Sequence, residues 1–466
     1  MPSYDLRSYI SLLEQHNQLA RISVPADPLL EIAAITDRIC KQPDGGRALL
    51  FEQPVGAAFP VATNLFGSLR RVCLALGIKH PDQLRQRMEA LLQLIAEPDF
   101  SALDRQLAAL PEFSRCAPTM SVDQDRQLIP AVRPDLTIFP FLQSWPQDGS
   151  LSGYRRYITL PQVFTADPDG GTPNCGLYRA QIRGGRELAL QWKQGSGGAR
   201  HAGQFRRQGK AMPVAIVLGG DPALLFSAMF PLPGALDEVA FAGFLRGGAL
   251  QTGPCASVPL TVPAGAEVVI EGYVHPGESV VEGPFGNHTG CYAAPAQAAL
   301  MRVSAIRHRP DATVPATLVG APPMEDCWMA LAWERLLLAF LQKLFPAVTD
   351  IHFPPEWVFH QSAIISLENP RPGMVREIVE QLWRLPWFAA ARILIVVDAA
   401  CGSALLPQAA WQCINLLEYR HDLIHDPATD RVAFDATGCR SPRGRVLMDD
   451  AIGKLVDRRW REYGLA

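Results

Sequence analysis

One short segment of the chain combines an amide oxygen with a fixed cation. In Asn174-Cys-Gly-Leu-Tyr-Arg179, Asn174 offers a neutral oxygen, and Arg179 offers a planar fork of donors suited to a carboxylate or a phosphate. Five positions along a regular strand place two side chains on opposite faces, unless a bulge at Gly176 intervenes. Taken alone, the segment fits an ordinary strand with a surface arginine better than it fits an anion site.

A second segment, Glu-Gly-Pro-Phe-Gly-Asn-His-Thr-Gly from position 282, holds a carboxylate close to a polar pair. The turn residues Pro284 and Gly286 bring Glu282 near Asn287 and His288, an arrangement that can do acid–base work. A hydrogen-bonded turn with an exposed glutamate explains the same residues. The sequence alone leaves these two interpretations level.

A third segment, from Gln191 to His201, is rich in glycine and serine. The backbone N–H groups of such a run can wrap a phosphate. No Gly-Lys-Ser/Thr follows, so it is not a Walker loop, and a plain flexible turn explains it about as well. His201, His288 and His360 show no ligand spacing and are predicted to be structural rather than metal-binding.

Acidic residues stand at the ends of several predicted elements. Glu238 opens an apolar helix, where the helix dipole alone favours an acid. The Pro322-Pro-Met-Glu-Asp326 segment can cap the helix that follows it. Asp398 ends a buried strand, the position at which α/β proteins place binding groups.

The elements that must position these residues fall into three regions, and the chain is predicted to be an α/β (α+β) protein. Residues 1–119 mix both element types: helices at 4–19, 27–40 and 81–95, and strands at 49–52 and 61–65. Residues 120–307 hold short β-runs separated by Gly and Pro, as in a barrel: 157–160, 177–182, 188–192, 214–218 and 268–274. Residues 308–466 alternate in a pattern typical of parallel strands: helices at 328–345 and 373–385, strands at 362–367 and 393–397, and one helix near 449–462 in a polar, irregular tail.

The bulk composition excludes several classes of protein. The 466 residues are 48% hydrophobic and 19% charged, which is typical of a soluble globular chain. The net charge of −3 gives no general attraction to nucleic acid or anionic membranes. No apolar run approaches the roughly 20 residues that span a bilayer, and the N-terminus is not a secretory signal. Ten cysteines without a CxxC pair indicate a reduced, cytoplasmic protein without a thiolate zinc site.

Eight segments, taken together and in this order, resemble the UbiD-type decarboxylase family. The resemblance runs from about residue 4 to residue 425 and thins in the last forty residues. The segments are Asp5-Leu-Arg-Ser, Glu31-Ile-Ala-Ala-Ile, Asn64-Leu-Phe-Gly67, Gly219-Gly-Asp-Pro222, Ala242-Gly-Phe-Leu-Arg-Gly247, Glu282-Gly-Pro-Phe-Gly286, Pro322-Pro-Met-Glu-Asp326 and Trp357-Val-Phe-His360.

The resemblance implies prenylated FMN as cofactor, with a divalent metal, usually manganese, and often potassium. It implies reversible decarboxylation of an aromatic or α,β-unsaturated carboxylic acid. The flavin is expected in a split β-barrel, residues 120–307, between an N-terminal α/β region, 1–119, and a C-terminal α/β oligomerisation domain, 308–466. A homo-oligomer (dimer or hexamer) and a flavin prenyltransferase that supplies the cofactor are expected partners.

The resemblance also assigns roles by position. Asn174 and Glu238 match metal ligands that hold the cofactor phosphate, and Arg392 stands where the family has a phosphate-binding lysine. Arg179 and Glu282 match two members of a catalytic Arg-Glu-acid trio. The remaining cofactor-lining positions are Leu177, Tyr178, Arg179, Gln191, Trp192 and Lys193, with Ser196 and Gly197 at the turn beside the phosphate.

Three departures from the family pattern bear on activity. The metal-binding histidine falls at Gly195, which has no ligand side chain. The third catalytic acid falls at Asn287, and an amide cannot deliver a proton as a carboxylic acid does. After Asp398, the family's acidic cluster is replaced by Ala399-Ala-Cys401.

The vacant acid position leaves several functions open. Losing a positioned general acid costs about 10²–10⁴-fold in rate. Water or a neighbour such as His288 then supplies the proton, or the substrate makes that step non-limiting, or the activity is weakened. A non-catalytic subunit is an alternative that the departures at Gly195 and Asn287 favour, whereas a flavin reductase lacks support because the chain has no dinucleotide fingerprint. Trp192, Phe230 and Phe285 indicate an apolar pocket, or simply a core.

Overall fold

The computed structural model describes residues 4–96, 102–121, 128–131, 133–230, 232, 234, 236–359, 361–388, 390–401, 405–439 and 448–464. His360 lies outside the described residues. The chain forms two compact units. The first comprises 1–344 with 353–359, and the second comprises 345–352 with 360–466. The domain limits near 120 and 308 remain predictions.

The N-terminal part of the first unit packs helices around a small sheet. Asp5 begins the first helix by accepting a hydrogen bond from the Ser8 N–H. The sheet contains, in this order, β1 (Leu19–Ile22), β2 (Ala48–Phe51), β3 (Val61–Thr63) and β18 (Val314–Ala316), the last of which comes from the chain after residue 307. The elements are α1 (Leu6–Gln15), β1 (Leu19–Ile22), α2 (Glu31–Cys40), β2 (Ala48–Phe51), β3 (Val61–Thr63), α3 (Leu69–Leu76), α4 (Asp82–Gln93), α5 (Leu103–Ala108), α6 (Pro111–Ser114) and β4 (Thr119–Met120).

The middle of the chain is mostly β-structure. Its strands are β5 (Ile129–Pro130), β6 (Tyr157–Ile158), β7 (Gln162–Thr165), β8 (Asn174–Leu177), β9 (Ala180–Ile182), β10 (Glu187–Leu190), β11 (Met212–Gly219), β12 (Gln251–Pro254), β13 (Thr261–Pro263), β14 (Ala266–Glu282), β15 (Phe285–Gly286), β16 (Tyr292–Ala293), β17 (Ala296–His308) and β18 (Val314–Ala316). Its helices are α7 (Gly197–Arg207), α8 (Pro222–Met229), α9 (Glu238–Arg246) and α10 (Glu325–Leu344).

The main sheet of the first unit runs β6-β9-β10-β17-β14-β11-β7-β8, with β5 attached to β17. Its inner face buries an apolar core that includes Leu188, Ile216 and Ile270, and Phe205 of α7 packs against this core. In the part of the chain that the structure describes, the end strands β6 and β8 do not pair with each other. The predicted split barrel is therefore an open sheet and not a closed barrel.

The second unit is an α/β domain. Its sheet order is β19-β20-β21-β23-β22, and the three central strands are parallel, as the alternating pattern predicts. The elements are β19 (Val348–His352), β20 (Ser362–Leu367), α11 (Met374–Leu382), β21 (Ile393–Asp398), α12 (Leu406–Leu416), α13 (Tyr419–Asp422), β22 (Leu423–Asp426), β23 (Arg431–Ala436) and α14 (Asp450–Arg459).

The predicted α/β class is confirmed, and the differences are local. The second helix begins at Glu31 rather than at Asp27, because Asp27 instead accepts from the Leu29 N–H in a turn. The tail after 426 is not wholly irregular, since β23 pairs with β21 there. Among the described residues, no helix is both long and apolar enough to cross a bilayer.

Candidate active site

The structure brings Arg179 and Glu282 together, although 103 residues separate them in the chain. The Arg179 Nε donates to one carboxylate oxygen of Glu282 at 2.9 Å, and Nη2 donates to the other at 2.8 Å. The Glu282 side chain is fully buried, whereas 24% of the Arg179 side chain remains exposed. A bidentate pair of this kind fixes the guanidinium in one orientation while leaving one side of it accessible.

A connection between two strands positions Arg179, and the end of a third strand positions Glu282. Strand β8 ends at Leu177 and β9 begins at Ala180, so Arg179 lies in the connection and not on the strand that carries Asn174. The expectation that Asn174 and Arg179 point to opposite faces of one strand therefore does not apply, because the two residues do not share a strand. Glu282 is the last residue of β14, opposite Ala296 of β17.

Two aromatic side chains surround the ion pair. The Arg179 guanidinium lies 4.6 Å from the centre of the Phe285 ring, and that ring packs against Tyr157 at 4.7 Å. Burial, followed by the negative charge of Glu282, raises the pKa of Tyr157, and its hydroxyl accepts a hydrogen bond from Gln181 Nε2 at 3.0 Å. Arg179, Glu282, Tyr157 and Phe285 are called the reaction end below.

Asp148 is a buried acid that the sequence analysis missed. Its carboxylate accepts from the Gly286 N–H at 2.9 Å and from the Trp145 N–H at 2.8 Å. Burial raises the pKa of Asp148, and the nearby charge of Arg179 partly opposes this shift. The acid therefore ties the segment after Glu282 to a neighbouring loop. The Asp-Gly pair at 148 was the available sequence signal, since such pairs mark tight turns.

Gly286 is required by close packing. A Cβ at this position would lie 2.2 Å from the Trp145 ring, a distance that no real side chain tolerates. The Trp145 Nε1 in turn donates to the Val319 carbonyl at 2.8 Å, which fixes the ring. The glycine in the sequence motif thus sets how closely the segment lies against its neighbour.

Asn287 and His288 form polar contacts with different residues. The Asn287 side-chain oxygen accepts from the Thr289 N–H at 2.9 Å and from its hydroxyl at 2.6 Å, so it closes a local turn. His288 pairs through Nδ1 with Asp326 and lies edge-on to Phe359. Burial alone would raise the pKa of Asp326, but attraction and hydrogen bonding to His288 hold it below the ordinary value.

A second group of residues lies around the start of α7. The Tyr178 hydroxyl lies 3.2 Å from the Gly198 N–H, which donates to it, and 3.4 Å from the Asn174 side-chain oxygen. The Cys175 N–H donates to Glu238 at 2.9 Å, and burial raises the pKa of Glu238 to about 8. Asn174, Glu238 and the 195–198 segment are called the phosphate end below.

The start of α7 fits an anionic group. Ser196 caps the helix by accepting from the Ala199 N–H, and the first helical residue, Gly197, approaches Asn174 so closely that a Cβ there would lie 2.0 Å from the amide oxygen. The buried Asn174 Nδ2 and Gln191 Oε1 have no hydrogen-bond partner among the described residues. The unpaired Asn174 Nδ2 donor beside a helix N-terminus suits a phosphorylated cofactor, whereas the Gln191 Oε1 acceptor requires an N–H or O–H donor.

A divalent metal has fewer ligands here than the resemblance implies. Asn174 and Glu238 offer oxygen donors of the kind that magnesium and manganese prefer. Gly195 adds nothing, and the described part of the chain contains no group of three or more His, Cys, Asp or Glu side chains that could hold a metal. Phosphate and water would have to complete the coordination.

The other candidate residues are placed as follows. Trp192 packs edge-on to Tyr178 at 5.2 Å, and Lys193 is exposed. Phe230 stacks on Trp333 in the core, so it is not free to line an open pocket. Leu177 is partly buried at the end of β8.

Two further predicted residues have local partners of their own. Arg392, in the second unit, pairs with Asp430 at 3.2 Å. The buried His201 hydrogen-bonds with Thr165, and burial lowers its pKa.

Three successive stretches of the chain match the three domain families of 3-octaprenyl-4-hydroxybenzoate carboxy-lyase. Residues 10–91 match its N-terminal domain, 119–322 its Rift-related domain and 327–451 its C-terminal domain. The chain therefore belongs to the UbiD family.

Relatives and solved structures agree with this membership. Uncharacterized proteins of Archaeoglobus fulgidus and Aquifex aeolicus are each 34% identical, over 99% of this chain and 93% and 99% of their own lengths. An evolved dimeric form of the UbiD-class enzyme HmfF from Pelotomaculum thermopropionicum, in complex with prFMN, is 25% identical with a TM-score of 0.80, over 98% of this chain and 100% of its own. Vanillic acid decarboxylase of Sedimentibacter hydroxybenzoicus shares the fold, with 24% identity, a TM-score of 0.84 and 99% coverage of both chains.

Proposed function

We propose that the protein is a carboxy-lyase that uses prenylated FMN to decarboxylate an aromatic or α,β-unsaturated carboxylic acid, reversibly and without net oxidation. The observation that carries this proposal is the buried, bidentate pair of Arg179 with Glu282 beside an aromatic ring. The bound flavin supplies the chemistry, because it takes up the electrons that remain when carbon dioxide departs.

The reaction end positions the substrate. No described residue accepts a hydrogen bond from the Arg179 Nη1, so that nitrogen is available to orient a substrate carboxylate. Glu282, fully buried, holds the guanidinium in place and balances its charge. Phe285 and Tyr157 form an apolar wall that excludes water on one side of the pair.

His288 is our candidate for the proton carrier. Asn287 stands at the position of the acid, and its amide oxygen is occupied by Thr289. His288 is the next residue, and Asp326 fixes its ring through Nδ1. The second ring nitrogen, Nε2, would pass the proton to the carbon that lost carbon dioxide, directly or through water.

The phosphate end holds the cofactor. Asn174, Ser196 and the N-terminus of α7 would bind the phosphate, with Glu238 and a divalent metal, manganese in our proposal, beside it and potassium as a further ion. We also propose that Tyr178, Gln191, Trp192 and Lys193 contact the cofactor.

The cellular setting is proposed on the same basis. We expect a cytoplasmic homo-oligomer, a dimer or a hexamer, that receives its cofactor from a flavin prenyltransferase. The small carboxylic acid is its only expected substrate partner, and no nucleic acid is expected to bind.

Co-expression with a flavin prenyltransferase tests the proposal. The purified protein is expected to carry a flavin absorbance spectrum and to exchange hydrogen for deuterium at the α-carbon of product alkenes or arenes. Replacing His288 by Gln should slow exchange by about 10²-fold while flavin occupancy stays unchanged. Protein that carries no flavin in such cells would refute the assignment.

The alternative is a non-catalytic UbiD-like subunit. The observations that favour it are the missing metal ligand at Gly195 and the amide at Asn287. This alternative predicts protein with bound flavin, or none, that catalyses neither decarboxylation nor hydrogen exchange across a panel of aromatic and α,β-unsaturated acids, and that co-purifies with a second polypeptide.

A further inference from the structure

A cavity of about 400 Å³ opens where the core of the main sheet meets α7. Its apolar floor includes Trp192, Phe205, Met212 and Val274, which also belong to or pack against that core. None of Asn174, Arg179, Glu238 and Glu282 lines it. The volume falls in the range of small-molecule sites, and the edge of a folded sheet is a common place for them.

An irregularity in β14 forms one wall of this cavity. Val274 pairs with Met301 and Ser279 pairs with Ala299, so four residues of β14 stand opposite the single residue Leu300 of β17. These four residues, His275-Pro-Gly-Glu278, line the cavity. A bulge of this size costs ladder hydrogen bonds, and such bulges commonly re-aim side chains beside binding sites.

The rim carries unbalanced positive charge. Arg206 and Lys210 line the cavity, and neither has an ion pair among the described residues. Glu278, which lines the same cavity, pairs with Arg302 at 2.9 and 3.3 Å, and Arg302 also pairs with Glu187 at 2.9 Å. An anion beside Arg206 and Lys210 would therefore meet two cations that have no ion pair of their own among the described residues, with Glu278 as an acidic residue of the same lining.

The floor holds an unpaired donor. The Trp192 Nε1 is buried and has no acceptor among the described residues. Because this nitrogen has almost no accessible surface, Trp192 would contact a ligand in the cavity through carbon atoms of its ring and not through the indole N–H. Trp192 also packs on Tyr178, whose hydroxyl contacts the phosphate end.

A plainer explanation exists for part of the charge. Arg206 and Arg207 both lie in the last turn of α7, where cations are favoured by the helix dipole. That explanation applies equally to both residues. Only Arg206 lines the cavity, so Arg207 serves as a matched control.

We propose that this cavity binds a small organic anion, a carboxylate or phosphate monoester on a planar apolar body. The anionic group would lie between Arg206 and Lys210, and the body would lie against Trp192 and Phe205. The proposal does not depend on the decarboxylase assignment.

Calorimetric titration of the full-length, flavin-free protein tests it with four probes: benzoate, phenyl phosphate, benzyl alcohol and inorganic phosphate. We expect saturable binding of benzoate or phenyl phosphate, and whichever binds identifies the anion. Benzyl alcohol and inorganic phosphate should each bind at least about tenfold more weakly, because each lacks one half of the contacts. No saturable binding of either aromatic anion would overturn the proposal.

Variants locate the bound probe. The double substitution Arg206→Ala with Lys210→Ala should weaken binding by tenfold or more, Trp192→Phe by severalfold, and Arg207→Ala should leave it unchanged. Equal weakening by Arg207→Ala would mean a general surface-charge effect and would contradict the proposal. Displacement of the probe by added FMN would also contradict it, because the probe would then occupy the flavin site. Thermal melting of each variant checks that it is folded.

Discussion

The reaction end and the phosphate end of the proposed flavin site differ in how far their polar groups are satisfied by the protein itself. At the reaction end, both oxygens of Glu282 bind Arg179. At the phosphate end, Asn174 Nδ2 has no partner among the described residues, and burial raises the pKa of Glu238 to about 8. The first end is organised before anything binds, and the second is completed by its ligand.

This difference assigns separate tasks to the two ends. Preorganised charge lowers reaction barriers because it needs no rearrangement during the reaction. Unsatisfied buried groups cost stability until a ligand pairs them, so they contribute to affinity for that ligand. Changes at the reaction end should therefore alter turnover, and changes at the phosphate end should alter binding and stability.

The largest effect is expected from Glu282→Gln at the reaction end. An amide cannot hold both donors of Arg179 by charge, and turnover should fall by about 10²–10⁴-fold while flavin remains bound. Steady-state decarboxylation and the flavin spectrum measure the two quantities. Glu278→Gln is the control, since Glu278 lies on the same strand as Glu282 and pairs with Arg302 of β17, but 35% of its side chain is exposed. Equal losses of turnover in both variants would show that the buried pair of Arg179 and Glu282 has no special role in the reaction.

The next effect tests whether the amide of Asn287, at the position of the family's catalytic acid, limits the rate of the reaction. Asn287→Glu restores a carboxylic acid and should raise decarboxylation, or hydrogen–deuterium exchange at the substrate carbon, by about tenfold or more. Asn287→Gln is the matched control and should give no gain. An unchanged rate in the glutamate variant would show that the vacancy does not limit activity.

A smaller effect concerns the support of the reaction end. Asp148 binds two backbone N–H groups and is fully buried. In Asp148→Asn one N–H loses its acceptor, so the free energy of unfolding should fall by about 1–3 kcal/mol. Denaturant unfolding measures this. The control is Asp135→Asn, at a partly buried turn acid where one oxygen accepts both bonds from Thr137, so that an amide can keep them. A loss no larger than the control's would argue against Asp148 as a support.

The smallest effect tests the phosphate end. In Gly195→His the added Cβ would meet no described atom within 4 Å, but the residue has a φ of +79°, which costs a non-glycine residue about 1–2 kcal/mol. The variant should unfold slightly more easily yet retain more manganese after dialysis than the wild type, by elemental analysis. Gly195→Ala supplies the same backbone cost without a ligand. Equal metal retention in both variants would show that position 195 does not lie beside a metal site.

The sequence predicted elements more readily than it predicted contacts. The strand at 362–367 and the parallel core of the second unit follow from local apolar runs, which the structure matches in the same residues. The pairing of Arg179 with Glu282 depends on strand order across 103 residues, which no local pattern encodes; only the family resemblance suggested it. Asp148 was missed for a related reason, since its function is a contact with Gly286, distant in sequence.

Long-range register also explains the error at the first segment. The opposite-face argument assumed one continuous strand from Asn174 to Arg179. The chain instead leaves β8 after Leu177 and enters β9 at Ala180, because β8 pairs with β7 and β9 pairs with β10 and β6. Strand breaks that arise from a change of partner cannot be read from spacing alone.

A crystal structure of the flavin-loaded protein tests the central claim most directly. We predict that the flavin ring faces the intact pair of Arg179 and Glu282 and that its phosphate lies at the N-terminus of α7, within hydrogen-bonding distance of Asn174. A flavin bound elsewhere, or a loaded protein in which the guanidinium and the carboxylate have separated, would contradict the account.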